Sequence, residues 1–414
     1  MRLNKDSFSR ATQGFRQDVF GRFDSGIWLI SVIRLFTAAG FSICIPFLAL
    51  YLYQERGLPM TLVGAIFLVG GLCSAGSQMV GGVLSDRFGR RRLLLGATGI
   101  SVLLYSGLSI LIGASAPIWA IAATYIAGRS VLTTTQPTTS AIVADLTPKN
   151  RLTEAYGLMR VGGNVGWAVG PAVGGYMATF VSYAWLFGVA ALTSVLAFLI
   201  ILLFFRESFH GDVDRVDFRS MLSVATNRTF LMFTGLSLLV FLGMAHLGST
   251  LSIFTVDRIG FSTAQYGLLL TVNGLIVVFF QYPVARVIDW IGKSRSLILG
   301  SLLYGLGYLS LGGISSFGWA FGAIAIITAG EIIFAPTTLS VVGELSPHDW
   351  RGRYMGFFGL SQTLGISLGP LVGGVLLDAF PGDPWFIWGT IASISFVAAL
   401  GFHWWGVARR ASST

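Results

Sequence analysis

The chain has 414 residues, of which 54% are hydrophobic and only 11% are charged, and its mean hydropathy is +0.75. About a quarter of the residues of an ordinary soluble domain are charged, so this composition excludes that class. A net charge of +9 is also found in proteins that bind nucleic acid, so the positions of the basic residues along the chain decide between the two interpretations.

Twelve apolar segments follow one another along the chain. Each is long enough to cross a bilayer core of about 30 Å as a helix, which takes roughly 20 residues. We therefore predict an all-α membrane protein, because lipid offers no partner for unpaired backbone groups. The segments span residues 27–53, 61–84, 93–114, 118–144, 154–180, 183–205, 229–255, 263–288, 296–315, 318–343, 354–379 and 386–407.

The basic residues fall almost entirely in alternate loops. If the N-terminus is cytoplasmic, 22 of the 27 Lys and Arg lie on the cytoplasmic side, three lie inside helices, and only Arg56 and Arg258 face outward. Such a bias is the usual signature of topology in the membrane. It predicts a multi-pass protein of the cell membrane with both termini in the cytoplasm, whose surroundings are lipid and which has no nucleic-acid partner.

The two halves of the chain repeat each other. We predict an N-terminal six-helix bundle at 1–205, a cytoplasmic central loop at 206–228 and a C-terminal six-helix bundle at 229–414. At an offset of 203 residues Gly64, Gln78 and Gly89 align with Gly267, Gln281 and Gly292, and at an offset of 199 Asp145 and Pro171 align with Glu344 and Pro370. A parallel duplication predicts a pseudo-twofold axis along the membrane normal.

The loop after the second segment carries a spaced motif of glycine, acidic and basic residues. It reads Gly82, Val83, Leu84, Ser85, Asp86, Arg87, Phe88, Gly89, Arg90, Arg91, Arg92, with a weaker copy from Asp289 to Arg295. An ordinary solvated loop would account for the arginines but not for the glycines or the copy. The motif resembles the signature of the major facilitator superfamily, and the resemblance covers the whole chain.

This resemblance implies the major facilitator fold, with twelve transmembrane helices in two pseudo-twofold-related bundles. It also implies a transporter that is not an enzyme, needs no cofactor or metal and works as a monomer. In the family the motif loop latches the cytoplasmic gate in the outward-open state. The implied gate residues are Gly82, Asp86, Arg87, Gly89, Arg90, Asp145 and Arg353.

The fifth segment is rich in glycine. Small residues four apart let helices approach closely, and proline bends a helix. The positions Gly166, Gly170, Pro171, Gly174 and Gly175 resemble the antiporter motif of drug and proton exchangers in the same superfamily. Helix packing alone is the alternative, and a copy from Gly365 to Gly374 in the eleventh segment strengthens it.

Ionisable groups inside a membrane are costly, so each is a functional candidate. Glu331 lies near the middle of the tenth segment, in a stretch that resembles some bacterial multidrug and proton antiporters. Such a carboxyl group can take up and release a proton as its surroundings alternate. Arg129, at a similar depth in the fourth segment, is its expected partner and resembles an arginine that the family links to proton coupling. A structural ion pair at Glu331 and a carbonyl-bonded arginine at Arg129 are the alternatives.

Further candidates for a central cavity are Arg34, Phe36, Phe41, Gln136, His246 and Phe334. Arg34 could instead extend to the cytoplasmic surface. A lone histidine such as His246 is more often a packing or hydrogen-bonding residue. Three arginines against one glutamate inside the membrane disfavour a strictly cationic substrate, so neutral, amphipathic and anionic compounds stay open.

Together these features predict a secondary active transporter. The leading hypothesis is a proton-coupled efflux antiporter of small amphipathic or drug-like compounds, with protons and the solute as its partners. An uptake symporter or facilitator for a sugar, organic acid or peptide is the alternative. A non-transporting membrane sensor or enzyme is a remote third reading.

Overall fold

The computed structural model describes residues 23–148, 151–207, 223–347 and 350–411. Within these ranges the chain forms twelve long helices and no strand, which confirms the predicted all-α class. The division of the chain at 206–228 stays a prediction, because residues 208–222 lie outside the described ranges.

The helices agree with the predicted segments to within a few residues at each end. The first six are α1 (Ser25–Leu50, continued by Tyr51–Glu55), α2 (Met60–Phe88), α3 (Arg90–Gly113), α4 (Ile118–Thr133 and Thr135–Asp145), α5 (Leu152–Phe180) and α6 (Tyr183–Phe204). The last six are α7 (Arg228–Met244, continued by Ala245–Gly248, Thr250–Ile253 and Phe254–Arg258), α8 (Thr263–Ile291), α9 (Lys293–Leu311), α10 (Phe317–Leu345), α11 (Arg351–Ala379) and α12 (Pro384–Ala411).

Nine of the described helices are long and apolar enough to cross a membrane. The other three are α4, α5 and α9. Helix α4 is divided at Thr134 into parts of 16 and 11 residues, and α9 has 19 residues and begins with a lysine. These three helices are held by packing, α4 against α2 and α3, α5 against α1 and α8, and α9 against α10 and α12.

Short polar side chains and glycines set the helix ends. Side-chain oxygens cap the first turns of five described helices, namely Asp24 at α1, Ser182 at α6, Asn227 at α7, Ser262 at α8 and Ser316 at α10. Gly89 between α2 and α3 has a φ of +93°, and Gly292 between α8 and α9 has a φ of +88°. A residue with a Cβ would be strained at a φ in this range, which favours glycine. The two equivalent turns therefore share a backbone conformation as well as a sequence pattern.

The described chain starts and ends on the same face of the bundle, because twelve helices return it to that side. We call the face that holds Ser25 and Ala411 the terminus face and the opposite one the far face. The first six helices contact the last six mainly through two pairs, α2 with α11 and α5 with α8.

Glycines bring these helix pairs into backbone contact near the far face. A Cβ on Gly64 would collide with the carbonyl oxygen of Pro370, and a Cβ on Gly267 would collide with that of Pro171. Gly64 aligns with Gly267 and Pro171 with Pro370 in the sequence repeat. The two contacts are therefore equivalents, and both depend on a residue without a side chain.

Helices α2 and α11 separate toward the terminus face. Gly64, Gly71 and Gly82 follow one another at about whole numbers of turns, so they share one face of α2. A Cβ on Gly71 would collide with Ser367 of α11, whereas one on Gly82 would meet no described atom within 4 Å. A Cβ on Gly359 of α11 would likewise meet no described atom within 4 Å. The bundle is closed at the far face and open at the terminus face.

Cysteines placed in this opening should react readily with a polar maleimide. In a variant with Cys44 and Cys73 changed to Ser, we expect Gly82→Cys and Gly359→Cys to be modified about tenfold faster than Ser367→Cys, because thiol reactivity follows exposure. Ser367 is the control, since its side chain is only 1% exposed and Cys is nearly its size. Equal rates at the three positions would contradict the open terminus face.

Candidate functional site

A cavity of about 390 Å³ lies between the two sets of helices. Residues of α1, α2, α4, α5 and α11 line it. Ser74 and Gln78 follow Gly71 along α2, and Thr363 precedes Ser367 on α11, so the cavity begins just where the contact of α2 with α11 ends. It therefore lies on the open side of the far-face contacts.

Two guanidinium groups give the cavity its charge. Arg34 of α1 and Arg129 of α4 both line it, and none of the lining residues is acidic. The Nη1 of Arg129 donates to the hydroxyl of Tyr125 at 2.9 Å. The side chain of Arg34 forms no hydrogen bond or ion pair with any described residue. Two of the predicted site residues thus meet in a cavity without a counter-charge.

The rest of the lining combines aromatic rings and amides. The rings of Phe41 and Trp167 are stacked, with centroids 6.1 Å apart and planes 29° apart. Gln78 of α2, Gln136 of α4 and Gln362 of α11 bring side-chain amides to the same cavity. The cavity can therefore contact a flat apolar group and also donate and accept hydrogen bonds.

Two of the predicted cavity residues are instead buried in the core of the last six helices. Phe334 is 1% exposed, and its ring centroid lies 5.9 Å from that of Phe241 and 5.8 Å from that of Phe402. His246 is fully buried, with Nδ1 2.7 Å from the hydroxyl of Thr250. In this conformation both residues pack and do not line the cavity.

Glu331 of α10 is bonded to an amide. The Nδ2 of Asn273 in α8 lies 2.9 Å from the Oε2 of Glu331 and 2.9 Å from the Oγ1 of Thr328. The expected ion pair of Glu331 with Arg129 does not form here, because the main contacts between the two sets of helices run through other helices. Arg160 of α5 interacts electrostatically with Glu331 without forming an ion pair.

The motif loop forms part of the charge network that the resemblance implied. The Nε of Arg90 lies 3.0 Å from the Oδ2 of Asp145, and its Nη1 donates to the hydroxyl of Ser85 at 2.9 Å. Glu207, after α6, accepts from the backbone N–H groups of Arg90 at 2.9 Å and Arg91 at 3.2 Å. A carboxylate there favours the positive start of α3. The network ties α3 to α4 and to the end of α6.

Two of the predicted gate residues, Arg353 and Arg87, do not join this network within the described part of the structure. Arg353 of α11 lies over the ring of Trp350, 4.7 Å from its centroid, and makes no ion pair with a described side chain. Arg87 is exposed and lies near the ring of Phe88. The side chain of Asp86 lies outside the described part of the structure. Arg353 stands apart because α2 and α11 have separated at this face.

The last six helices contain an equivalent of the Arg90 network. Glu344, which aligns with Asp145, forms an ion pair with Lys293 at the start of α9. Arg409 of α12 also contacts Glu344, at 3.0 Å. In both sets of helices, an ion pair thus joins the start of the third helix to the end of the fourth.

The glycine positions of α5 are contact positions. A Cβ on Gly166, Gly170 or Gly174 would collide with α1, and one on Gly175 would crowd the carbonyl oxygen of Thr263 in α8. These contacts favour the packing interpretation of the motif. Because Gly175 contacts α8, part of this packing joins the two sets of helices and helps to close the far face.

Side chains of one set of helices cap helices of the other at the far face. Asp378 of α11 accepts from the backbone N–H groups of Met60 at 3.0 Å and Thr61 at 2.7 Å, where α2 begins. In the equivalent place, Thr179 of α5 accepts from the backbone N–H of Ala264 at 2.9 Å, where α8 begins. These bonds satisfy N–H groups that a helix start leaves unpaired. They must break if the far face opens.

The sequence analysis did not predict several residues that contribute to the cavity, to the Glu331 bond or to the far-face caps. Gln78, Trp167 and Gln362 line the cavity, and Asn273 holds Glu331. An amide inside an apolar segment is a usable signal, and Gln78 also repeats at Gln281. Asp378 gave no signal, because an acidic residue at the end of a segment is ordinary.

A helical bundle with a central polar cavity, closed at one face and open at the other, defines a membrane transporter. The family comparison agrees. The chain belongs to the Major Facilitator Superfamily, whose family model matches residues 30–370 and 233–414.

Relatives with described activities are distant. The Na(+), Li(+), K(+)/H(+) antiporter of Planococcus maritimus is 25% identical over 89% of this chain and 94% of its own length. The quinolone resistance protein NorA of Staphylococcus aureus is 23% identical over 82% of this chain and 86% of its own length. A crystal structure of a peptide transporter, POT, in complex with sulfate is 16% identical over 95% of this chain and 96% of its own, with a TM-score of 0.76, which shows a common fold.

Breaking the Arg90 network should destabilise the protein. The Arg90 side chain is 7% exposed, so Asp145→Asn removes a charged partner from a nearly buried guanidinium. We expect a loss of about 2 kcal/mol in the free energy of unfolding, measured by titration with SDS. The control is Glu154→Gln in the exposed Arg151–Glu154 pair, for which we expect less than about 0.5 kcal/mol. Equal losses in the two variants would contradict this role.

Proposed function

We propose that the protein is a proton-coupled antiporter that exports small amphipathic compounds by alternating access. It acts as a monomer in the cell membrane, with both termini in the cytoplasm, so that the terminus face is the cytoplasmic face. The two six-helix bundles at 1–205 and 229–414 move relative to each other around the central cavity. The observation that carries the proposal is the state of Glu331.

Glu331 is held inside the bundle by a neutral partner. Its described hydrogen bond comes from the Asn273 amide, and no ion pair joins it to a described cation. A structural ion pair would hold the carboxylate charged throughout a cycle. A carboxyl group bonded to an amide can bind or release a proton without breaking such a pair. This favours proton exchange at Glu331 over a purely structural role.

The position of Arg160 gives a physical link between the proton and the conformation. Arg160 belongs to α5 in the first set of helices and Glu331 to α10 in the second. Closure of the terminus face changes the distance between the two sets. The free energy of protonating Glu331 therefore depends on the conformation.

Export is supported by the names of two relatives, a cation/proton antiporter and a quinolone resistance protein. The cavity volume of about 390 Å³ suits a drug-sized solute. The cavity opens at the terminus face, where such a solute would enter from the cytoplasm.

Glu331→Gln should separate coupling from movement. The glutamine keeps an oxygen for the Asn273 amide but cannot exchange a proton. In proteoliposomes with a pH gradient, we expect the wild type to concentrate substrate and the variant to retain only downhill flux. The surface variant Glu154→Gln serves as the control and should behave as the wild type. Uphill transport by Glu331→Gln would remove Glu331 as the coupling site.

A further inference from the structure

The cavity contains two positive charges and no negative one. Arg34 and Arg129 line it together, and its lining includes no Asp or Glu. The one described hydrogen bond of the two guanidinium groups goes to a neutral hydroxyl, that of Tyr125. Glu331 does not neutralise them, since it is bonded to Asn273 outside the lining.

This charge is tolerable only while water fills the cavity. In the conformation described here the cavity adjoins the open terminus face, and both arginines are partly exposed. When that face closes, water is displaced and unpaired charges become costly. An anion that enters the cavity and stays through closure would remove this cost.

The other lining residues of the cavity indicate the chemistry of the remainder of this anion. The stacked rings of Phe41 and Trp167 offer an apolar surface, and the amides of Gln78, Gln136 and Gln362 surround it with neutral polar groups. Guanidinium groups bind carboxylates and sulfonates through paired hydrogen bonds. A cation would meet repulsion from both arginines and find no acidic partner in the lining.

We propose that the transported substrates are aromatic organic anions, with the acidic group held between Arg34 and Arg129 and the ring against Phe41 and Trp167. This inference rests on the proposed function, since it names the substrate class of the same cavity. It assigns Arg34 to substrate binding, not to the membrane surface.

Three naphthalene compounds of nearly equal shape test the proposal by binding alone. These are 2-naphthoate, the neutral 2-naphthamide and the cationic 2-naphthylmethylammonium. Titration calorimetry with purified wild-type protein, at pH 7.5 without a proton gradient, should give the tightest binding for naphthoate, about tenfold or more over naphthamide, and the weakest for the cation. This comparison needs no variant and so does not depend on the folding of one.

Variants then test the two arginines. Arg34→Gln and Arg129→Gln should each weaken naphthoate binding by about tenfold to a hundredfold and leave naphthamide binding nearly unchanged. Arg92→Gln is the matched control, because it removes one exposed positive charge at the start of α3, outside the cavity lining. A similar loss of naphthoate binding in Arg92→Gln would mean a general charge effect and would overturn the proposal.

The outcomes separate this proposal from the proposed function. Naphthoate binding through both arginines, with no effect of a pH gradient on transport, would support the substrate class and refute antiport. Equal or tighter binding of the amide or the cation, or no binding of naphthoate, would overturn the substrate class even if Glu331 couples transport to protons.

Discussion

The free-energy cost of an unpaired charge away from water constrains the whole structure. Arg90 with Asp145 and Lys293 with Glu344 lie at helix ends, where each charge has a partner. Glu331, inside the bundle, has an amide instead of a cation. In the cavity, Arg34 and Arg129 share a lining in which no described residue is acidic. The constraint therefore leads both to proton exchange at Glu331 and to an anion at Arg34 and Arg129.

Close backbone contacts at glycines join the two sets of helices. The pairs Gly64 with Pro370 and Gly267 with Pro171 are equivalents in the repeat, and so are the helix caps made by Asp378 and Thr179. Equivalent contacts on both sides of the cavity suit a rocking movement of one set against the other. The caps stabilise the conformation with a closed far face, and the opening at Gly82 and Gly359 is where we expect the proposed movement to close the bundle.

The sequence predicted the twelve helices because the membrane demands long apolar segments. It also placed Arg90 near Asp145 and brought Arg34, Arg129 and Gln136 to one cavity. It could not predict that Asn273 holds Glu331, because this bond depends on the register of α8 against α10. Phe334 lies on the same helix as Glu331 but about 60° around it, which is enough to turn it into the core. The hydrogen bond of Arg129 to Tyr125 could have been predicted, because the two residues are one turn apart on the same helix.

Double electron–electron resonance on spin-labelled cysteine pairs tests the central claim, that the protein alternates between closure of one face and closure of the other. One pair is Gly82→Cys with Gly359→Cys at the terminus face, and the other is Glu55→Cys with Ser315→Cys at the far face, both with Cys44 and Cys73 changed to Ser. Two populations should appear for each pair, and Asp378→Ala should shift them in opposite senses, shortening distances at the terminus face and lengthening them at the far face. A single unchanging distance for both pairs, or a lengthening of both together, would contradict the account.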